Sequence, residues 1–156
     1  MIVLEKITDY MSVDLIDLDL KSNNKVDILK ELNDLLNKSG KINDKDKCLE
    51  TLNNREKLGS TGIGKGVAIP HAKTEYADDL TIVFGISKKG IDFDSVDSDK
   101  VGIFFVFASP LKNSRTYLKI LARISRLIRN EDFRSKLKNA KNSEEILRII
   151  DTEEKC

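Results

Sequence analysis

The stretch Val101–Ala108, VGIFFVFA, decides the fold of this chain. It is an almost continuous apolar run, rich in β-branched and aromatic residues, and a second run of this kind, LTIVFGI, covers Leu80–Ile86. Runs of this length and composition are typical of strands that are buried on both faces, with helices covering the sheet. The two runs therefore predict the buried centre of an α/β fold.

Segments with helical periodicity precede and follow these two strands in the sequence. Apolar residues recur at helical spacing in several segments that begin at capping residues or end at a glycine. The predicted helices run from Asn24 to Gly40, from Asp44 to about Lys57, from about Ser114 to Arg129, and onward from Asn130 and from Ser143. Shorter extended segments are predicted at Val13–Leu20 and Ile91–Phe93, and a short apolar segment covers Val67–Ile69. The strongest helix carries an apolar stripe formed by Tyr117, Leu118, Leu121, Ile124 and Ile128.

Composition excludes several classes of protein. The 156 residues are most simply one domain, residues 1–156. The 27 basic and 26 acidic residues give a net charge of +1, which argues against a broad nucleic-acid surface. No apolar run approaches the roughly 18 residues of a membrane span, and the two cysteines form no framework. We therefore expect a reduced, cytoplasmic protein without nucleic-acid partners or membrane insertion.

Most of the candidate functional residues lie in the segment Arg55–Ala72, REKLGSTGIGKGVAIPHA. This segment contains His71, the one histidine of the chain. A neutral imidazole is a competent nucleophile near pH 7, and attack on phosphorus would give a phosphoimidazole with roughly two negative charges. Backbone N–H groups, hydroxyls and a guanidinium are the groups that stabilise such charge. The candidate phosphoryl-binding residues are Arg55, Ser60, Thr61, Gly62 and Gly64.

Structural explanations of the same residues remain open at this point. A lone histidine is most often a surface residue or a hydrogen-bonded core residue, and spaced glycines usually mark turns. The segment is neither a Walker loop, which would end in Gly-Lys-Ser/Thr, nor a dinucleotide fingerprint that opens a long helix. The residues alone therefore suggest a phosphoryl site without deciding for it.

The segment Glu56-x6-Ile63-Gly64-x2-Val67-Ala68-Ile69-Pro70-His71-Ala72 resembles the phosphorylation-site signature of enzyme IIA domains. These domains belong to the phosphoenolpyruvate:sugar phosphotransferase system, in its fructose/mannitol and nitrogen-regulatory class. The resemblance implies an α/β fold with a central mixed β-sheet flanked by helices on both faces. It implies no metal and no organic cofactor.

The resemblance also implies a phosphohistidine relay. Phospho-HPr, or a nitrogen-branch analogue of it, would donate a phosphoryl group to His71, beside an arginine that Arg55 matches. The acceptor would be a IIB domain in sugar transport, or the phosphorylation state would control binding to a regulatory protein. Three hypotheses follow: a phosphotransferase component that carries the group, a nitrogen-type regulator that acts by binding, and a degenerate relative that is not phosphorylated.

The chain departs from the family at Tyr117, where many relatives carry a second histidine followed by leucine. A tyrosine hydroxyl can donate a hydrogen bond to a phosphoryl oxygen but carries no positive charge at pH 7. The alternative is that Tyr117 is simply the first member of the apolar stripe. If the strand Val101–Ala108 ends at the site, the following helix would aim its N-terminus there and add backbone donors.

Overall fold

A computed structural model describes residues 5–112 and 114–155, and Cys156 lies outside them. Two short 3₁₀ turns, Ile7–Tyr10 and Val13–Leu15, come first. The strands are β1 (Ile16–Asp17), β2 (Gly62–Gly64), β3 (Val67–Ala68), β4 (His71–Lys73), β5 (Thr81–Ile91) and β6 (Val101–Ser109). The helices are α1 (Lys25–Asn37), α2 (Lys45–Lys57), α3 (Ser114–Leu127), α4 (Glu131–Lys138) and α5 (Ser143–Lys155).

The strands form one mixed sheet in the order β1-β5-β6-β3-β2, and β4 also pairs with β6. The two long strands, β5 and β6, are antiparallel neighbours at its centre, whereas β3 and β4 run parallel to β6. The predicted central mixed sheet is therefore confirmed.

Helices cover both faces of the sheet, as predicted. Side chains of a strand alternate between faces, so β5 and β6 each contribute to two apolar layers. On one face Phe84, Phe105 and Phe107 pack against α3, α4 and α5. On the other face Val83 and Phe104 pack against α1 and α2. Burial on both sides explains why these strands read as continuous apolar runs.

Capping residues define the starts of three helices as the sequence predicts. The side chain of Asn24 accepts a hydrogen bond from Asp27 N at 2.9 Å, and Asp44 accepts from Lys47 N at 3.1 Å. Asn130 accepts from Phe133 N at 3.1 Å. Each bond satisfies an amide that has no partner within its helix. Among residues 5–112 and 114–155, no helix has the length and apolar character needed to cross a membrane.

Several sequence predictions are wrong in detail. The extended segment Val13–Leu20 is a 3₁₀ turn followed by the two-residue β1. No separate strand forms at Ile91–Phe93, because β5 continues through an irregularity after Ile86 and ends at Ile91. Leu118 is not part of the buried stripe of α3, since it is 58% exposed. Local pattern does not reveal these outcomes, because pairing with a distant strand and packing decide them.

Candidate functional site

His71 lies at the start of β4, opposite Phe107 of β6. The strands β3 and β4 pair with the same edge of β6, and Pro70 lies in the gap between them. Proline has no N–H to give to a ladder, so the paired segment is interrupted there. The carbonyl of Pro70 accepts a hydrogen bond from Phe107 N at 3.0 Å, which fixes the backbone immediately before the histidine.

Two hydrogen bonds fix the orientation and tautomer of the His71 ring. Arg55 Nε–H donates to His71 Nε2 at 3.2 Å, and His71 Nδ1 lies 2.8 Å from the carbonyl oxygen of Ile69. A guanidinium can only donate and a carbonyl can only accept. The proton of the neutral ring is therefore on Nδ1, and Nε2 carries the lone pair.

The surroundings of His71 keep its imidazole neutral. Burial lowers the pKa of His71 below 6.5, and the positive charge of Arg55 lowers it further, whereas the Ile69 carbonyl and Glu56 oppose the shift. A histidine with a lowered pKa holds an available lone pair throughout the neutral pH range. The chemistry that this favours is nucleophilic attack by Nε2.

Arg55 reaches His71 from the last turn of α2. The helix packs beside β4, with Cys48, Leu52 and Glu56 as its buried face. Arg55 Nη1 donates to the carbonyl of Gly59 at 2.8 Å, so the guanidinium is held between the loop after α2 and the imidazole. The arginine predicted from sequence is thus in direct contact with the predicted nucleophile.

A buried carboxylate supports the loop, and sequence reasoning gave it no role. Glu56 accepts hydrogen bonds from Thr61 N at 3.1 Å and from the Thr61 hydroxyl, and it pairs with Lys25 Nζ at 3.1 Å. Lys25 also lies 4.5 Å from the ring centroid of Phe93, within cation–π distance. Glu56 is part of the quoted signature and follows Arg55 directly. No sequence pattern predicts its ion pair with Lys25, because Lys25 lies far away along the chain, at the start of α1.

Ser60 and Thr61 direct their hydroxyl protons to protein acceptors. Ser60 Oγ donates to the carbonyl of Phe93 at 2.6 Å, and Thr61 Oγ1 donates to Glu56. Thr61 O accepts from Ile69 N at 3.0 Å, which ties the loop to the backbone just before His71. Both residues therefore hold the loop in place, and direct donation to a phosphoryl group would require these bonds to change.

Gly62 and Gly64 lie in β2 and pair with β3. A Cβ atom on Gly62 would come within 2.3 Å of Ser95 Oγ, so only glycine fits this close approach. Gly64 has a φ of +97°, in the region that favours glycine. The structure thus gives both residues a backbone role in the β2–β3 hairpin, which leads into His71.

Tyr117 lies beside the histidine, in the first turns of α3. Its ring makes an edge contact with the His71 ring, with centroids 5.9 Å apart, and a second edge contact with Phe107 at 6.1 Å. Tyr117 is 5% exposed, and burial raises its pKa to about 12 although Arg55 opposes the shift. Tyr117 therefore belongs to the apolar layer of α3 and its ring contacts the imidazole, whereas donation from its hydroxyl to a phosphoryl group stays a prediction.

Comparison with protein families gives the same class as the signature. The family model described as phosphoenolpyruvate-dependent sugar phosphotransferase system, EIIA 2, matches residues 9–153. The chain belongs to this EIIA type-2 family.

Relatives of this EIIA chain include both sugar-specific EIIA components and nitrogen regulatory proteins. It is 37% identical over 150 residues to the fructose-specific EIIABC component of Bacillus subtilis, covering 96% of this chain and 24% of that protein. It is 34% identical over 146 residues to a nitrogen regulatory protein of Bradyrhizobium diazoefficiens, covering 92% and 94% of the two chains. The EIIA chain thus spans about a quarter of the first relative and nearly all of the second.

Solved structures agree with the fold of this EIIA chain. The nitrogen regulatory protein IIA-Ntr of Neisseria meningitidis superposes with a TM-score of 0.87 at 28% identity, over 92% of this chain and 98% of that one. The mannitol enzyme IIA of Escherichia coli, solved in complex with phosphorylated enzyme IIB, gives a TM-score of 0.78 at 17% identity over 90% and 96% of the chains. The second likeness is one of fold alone.

Proposed function

We propose that this protein is a phosphocarrier in which His71 accepts a phosphoryl group from phospho-HPr, or from a nitrogen-branch analogue, and passes it on. One observation carries the proposal. The neutral ring of His71 holds its proton on Nδ1, against the Ile69 carbonyl, and presents the Nε2 lone pair next to the Arg55 guanidinium. A nucleophile beside a fixed cation is the arrangement that phosphoryl transfer requires.

The transfer step is an in-line exchange between two imidazoles. The lone pair of His71 Nε2 forms a bond to phosphorus while the P–N bond of the donor phosphohistidine breaks, and the donor nitrogen recovers that electron pair. The His71 ring then carries positive charge that it shares with Nδ1–H. The carbonyl of Ile69 stabilises that charge as a hydrogen-bond acceptor.

Arg55 changes partner during this step. Its Nε–H occupies the Nε2 lone pair in the free protein, so this bond must break as phosphorus approaches. The released guanidinium can then donate to two phosphoryl oxygens in its fork geometry. The bond from Nη1 to Gly59 O anchors it while this happens. Arg55 thereby both holds the resting ring and stabilises the phosphorylated one.

A phosphoryl-binding role for Ser60, Thr61, Gly62 and Gly64 is part of the same proposal. The bonds they make in the free protein support an indirect contribution, through the position of the loop and of the hairpin that precedes His71. Tyr117 contributes by its contact with the ring and by a hydroxyl that keeps its proton at neutral pH. It replaces the second imidazole as a neutral donor.

The acceptor distinguishes two functions of this carrier. A IIB domain would take the phosphoryl group in sugar transport. A regulatory role, in which the phosphorylation state controls binding to a protein partner, is the alternative, since nitrogen regulatory proteins are also among the relatives of similar length. Two further statements stay predictions: that residues 1–156 act as one EIIA domain, and that the protein is cytoplasmic.

The decisive experiment is phosphorylation of the purified protein. It is incubated with phosphoenolpyruvate, enzyme I and either HPr or its nitrogen-branch analogue, and its intact mass is measured before and after mild acid. We expect one acid-labile phosphate on the wild type and none on His71→Gln, which keeps a similar shape without the nucleophile. Absence of label with both donor systems would contradict the phosphocarrier and leave the degenerate relative.

Transfer of the phosphate to an acceptor distinguishes the sugar-transport function from the regulatory function. The labelled protein is mixed with candidate IIB domains, and loss of its phosphate is followed by mass. Rapid discharge by a IIB domain supports sugar transport. Retention of the phosphate, together with capture of a partner protein that depends on His71, supports the regulatory function.

A further inference from the structure

A cavity of about 330 Å³ lies at the start of β6, where the pairing of β5 becomes irregular after Ile86. Such a volume is at the lower end of the range for small-molecule sites. The residues that line this cavity, here called the lysine cavity, are Gly66, Ile86, Ser87, Lys88, Lys89, Gly90, Lys100, Gly102 and Lys138.

The lining of the lysine cavity is unusual in charge. It contains four lysines and no carboxylate. Within the described ranges, none of these four ammonium groups forms an ion pair with Asp or Glu, unlike the paired lysines elsewhere on the surface. Four cations without a direct ion pair around one concavity create a positive potential that attracts anions.

Glycines form much of the wall beneath these lysines. Lys138 Nζ lies 4.0 Å from the position that a Cβ atom on Gly66 would take, and the Lys100 side chain lies within 3.1 Å of the corresponding position on Gly90. Gly102 has equally little room, because its Cβ would come within 3.0 Å of Ser87 O. Glycine is favoured at Gly90 and Gly102 because protein atoms already occupy the space that a side chain would take, and this close packing holds the Lys100 side chain against the backbone.

A neighbouring cavity of about 420 Å³ shares Gly66, Lys100 and Lys138 with the lysine cavity. Its lining also includes Arg134, but Asp99 and Glu131 stand among its basic groups. Two carboxylates offset part of the positive charge there. Lys100 and Lys138 line both cavities, so Lys88 and Lys89, which line only the lysine cavity, give it the stronger preference for an anion.

We propose that the lysine cavity is a second anion site, which binds a small molecule that carries two phosphoryl groups. Lysine ammonium groups bind phosphate oxygens as point charges, and four of them match a ligand with several negative charges. The site is distinct from the phosphoryl site. On β6, Gly102 lines the lysine cavity and Phe107 lies opposite His71, and about 16 Å of extended strand separates these two residues. The proposal does not depend on phosphorylation of His71.

The test is a titration of the ¹⁵N-labelled protein with inorganic pyrophosphate at low ionic strength, followed by amide chemical shifts. We expect saturable shifts at Gly66, Gly90 and Gly102, which weaken as salt is added. The double variant Lys100→Gln with Lys138→Gln should bind at least about tenfold more weakly. A second double variant, Lys88→Gln with Lys89→Gln, tests the other two cations in the same way.

The matched control is Lys30→Gln with Lys38→Gln, which removes the same charge from exposed positions on and after α1. It should leave pyrophosphate binding within about twofold of the wild type. Equal weakening by all the double variants, or shifts that do not saturate, would reduce the effect to nonspecific attraction and overturn the proposal. Shifts confined to the segment from Arg55 to His71 would place the anion at the phosphoryl site and overturn it as well.

Discussion

Arg55 Nε lies 3.2 Å from Nε2 of His71, so in the free protein the guanidinium covers the nitrogen that we propose as the nucleophile. The two residues are sixteen positions apart, at the end of α2 and the start of β4, and packing of the helix beside the strand brings them together. Although the ring is neutral, its Nε2 lone pair can react only after the guanidinium has moved away.

Replacement of Arg55 should slow phosphorylation without unfolding the protein. Arg55→Gln removes the cation that stabilises the phosphoryl oxygens, and we expect the rate of transfer to fall by about 100-fold. Arg55→Lys restores the charge but not the fork, and should recover only part of the rate. Rapid-quench labelling with phospho-HPr measures both. Lys57→Gln, which removes an exposed charge two residues away, serves as the control and should stay within about twofold of the wild type.

Stability should depend on pH through His71. Burial holds the pKa of His71 below 6.5 in the folded protein, so between that lowered pKa and 6.5 the unfolded chain binds more protons. The contribution of His71 to stability is therefore present above its unfolded pKa and is lost as the pH falls below about 6.5. Denaturant unfolding of wild type and His71→Gln at about pH 7.5 and about pH 5.5 measures the difference. A wild type that loses no more stability than His71→Gln on acidification would contradict the shift.

Tyr117 should affect transfer through its hydroxyl and stability through its ring. Tyr117→Phe keeps the ring contacts with His71 and Phe107, and we expect transfer to slow by about threefold with little loss of stability. Tyr117→Ala removes the buried ring and should lower the free energy of unfolding by about 3 kcal/mol. Leu118→Ala is the control, because Leu118 is 58% exposed and should change stability by less than about 0.5 kcal/mol. An unchanged rate in Tyr117→Phe would leave Tyr117 with a packing role alone.

The ion pair between the half-buried Lys25 and the buried Glu56 should hold the loop that supports the site. Lys25→Met leaves the buried Glu56 carboxylate without its cation, and we expect a loss of about 1–3 kcal/mol in the free energy of unfolding. Chemical denaturation measures it, and a slower transfer rate should accompany it because Glu56 also binds Thr61. Lys47→Met breaks an exposed pair with Glu50 and should cost less than about 0.5 kcal/mol. Similar losses in the two variants would mean that burial of the Lys25–Glu56 pair is not important.

Much of the fold was predictable, because local patterns in this chain agree with the tertiary structure. The apolar runs that became β5 and β6 are buried on both faces, and the capping residues Asn24, Asp44 and Asn130 begin helices where expected. Errors occur where a partner decides the outcome. The chain near Val13 forms a turn and a two-residue strand, and β5 extends to Ile91 because it pairs with Val101.

The candidate site divides in the same way. The sequence by itself singled out His71, since it is the one histidine and stands in a long family signature, and it indicated Arg55 and Tyr117 as neighbours; the nucleophilic role of His71 stays a prediction. Only the tertiary structure decided which nitrogen of His71 carries the lone pair, that Lys25 pairs with Glu56, and that Ser60 and Thr61 direct their hydroxyls into the loop. The physical reason is distance along the chain: residue type and spacing record local preferences, whereas these contacts join segments that meet only when helices pack on the sheet.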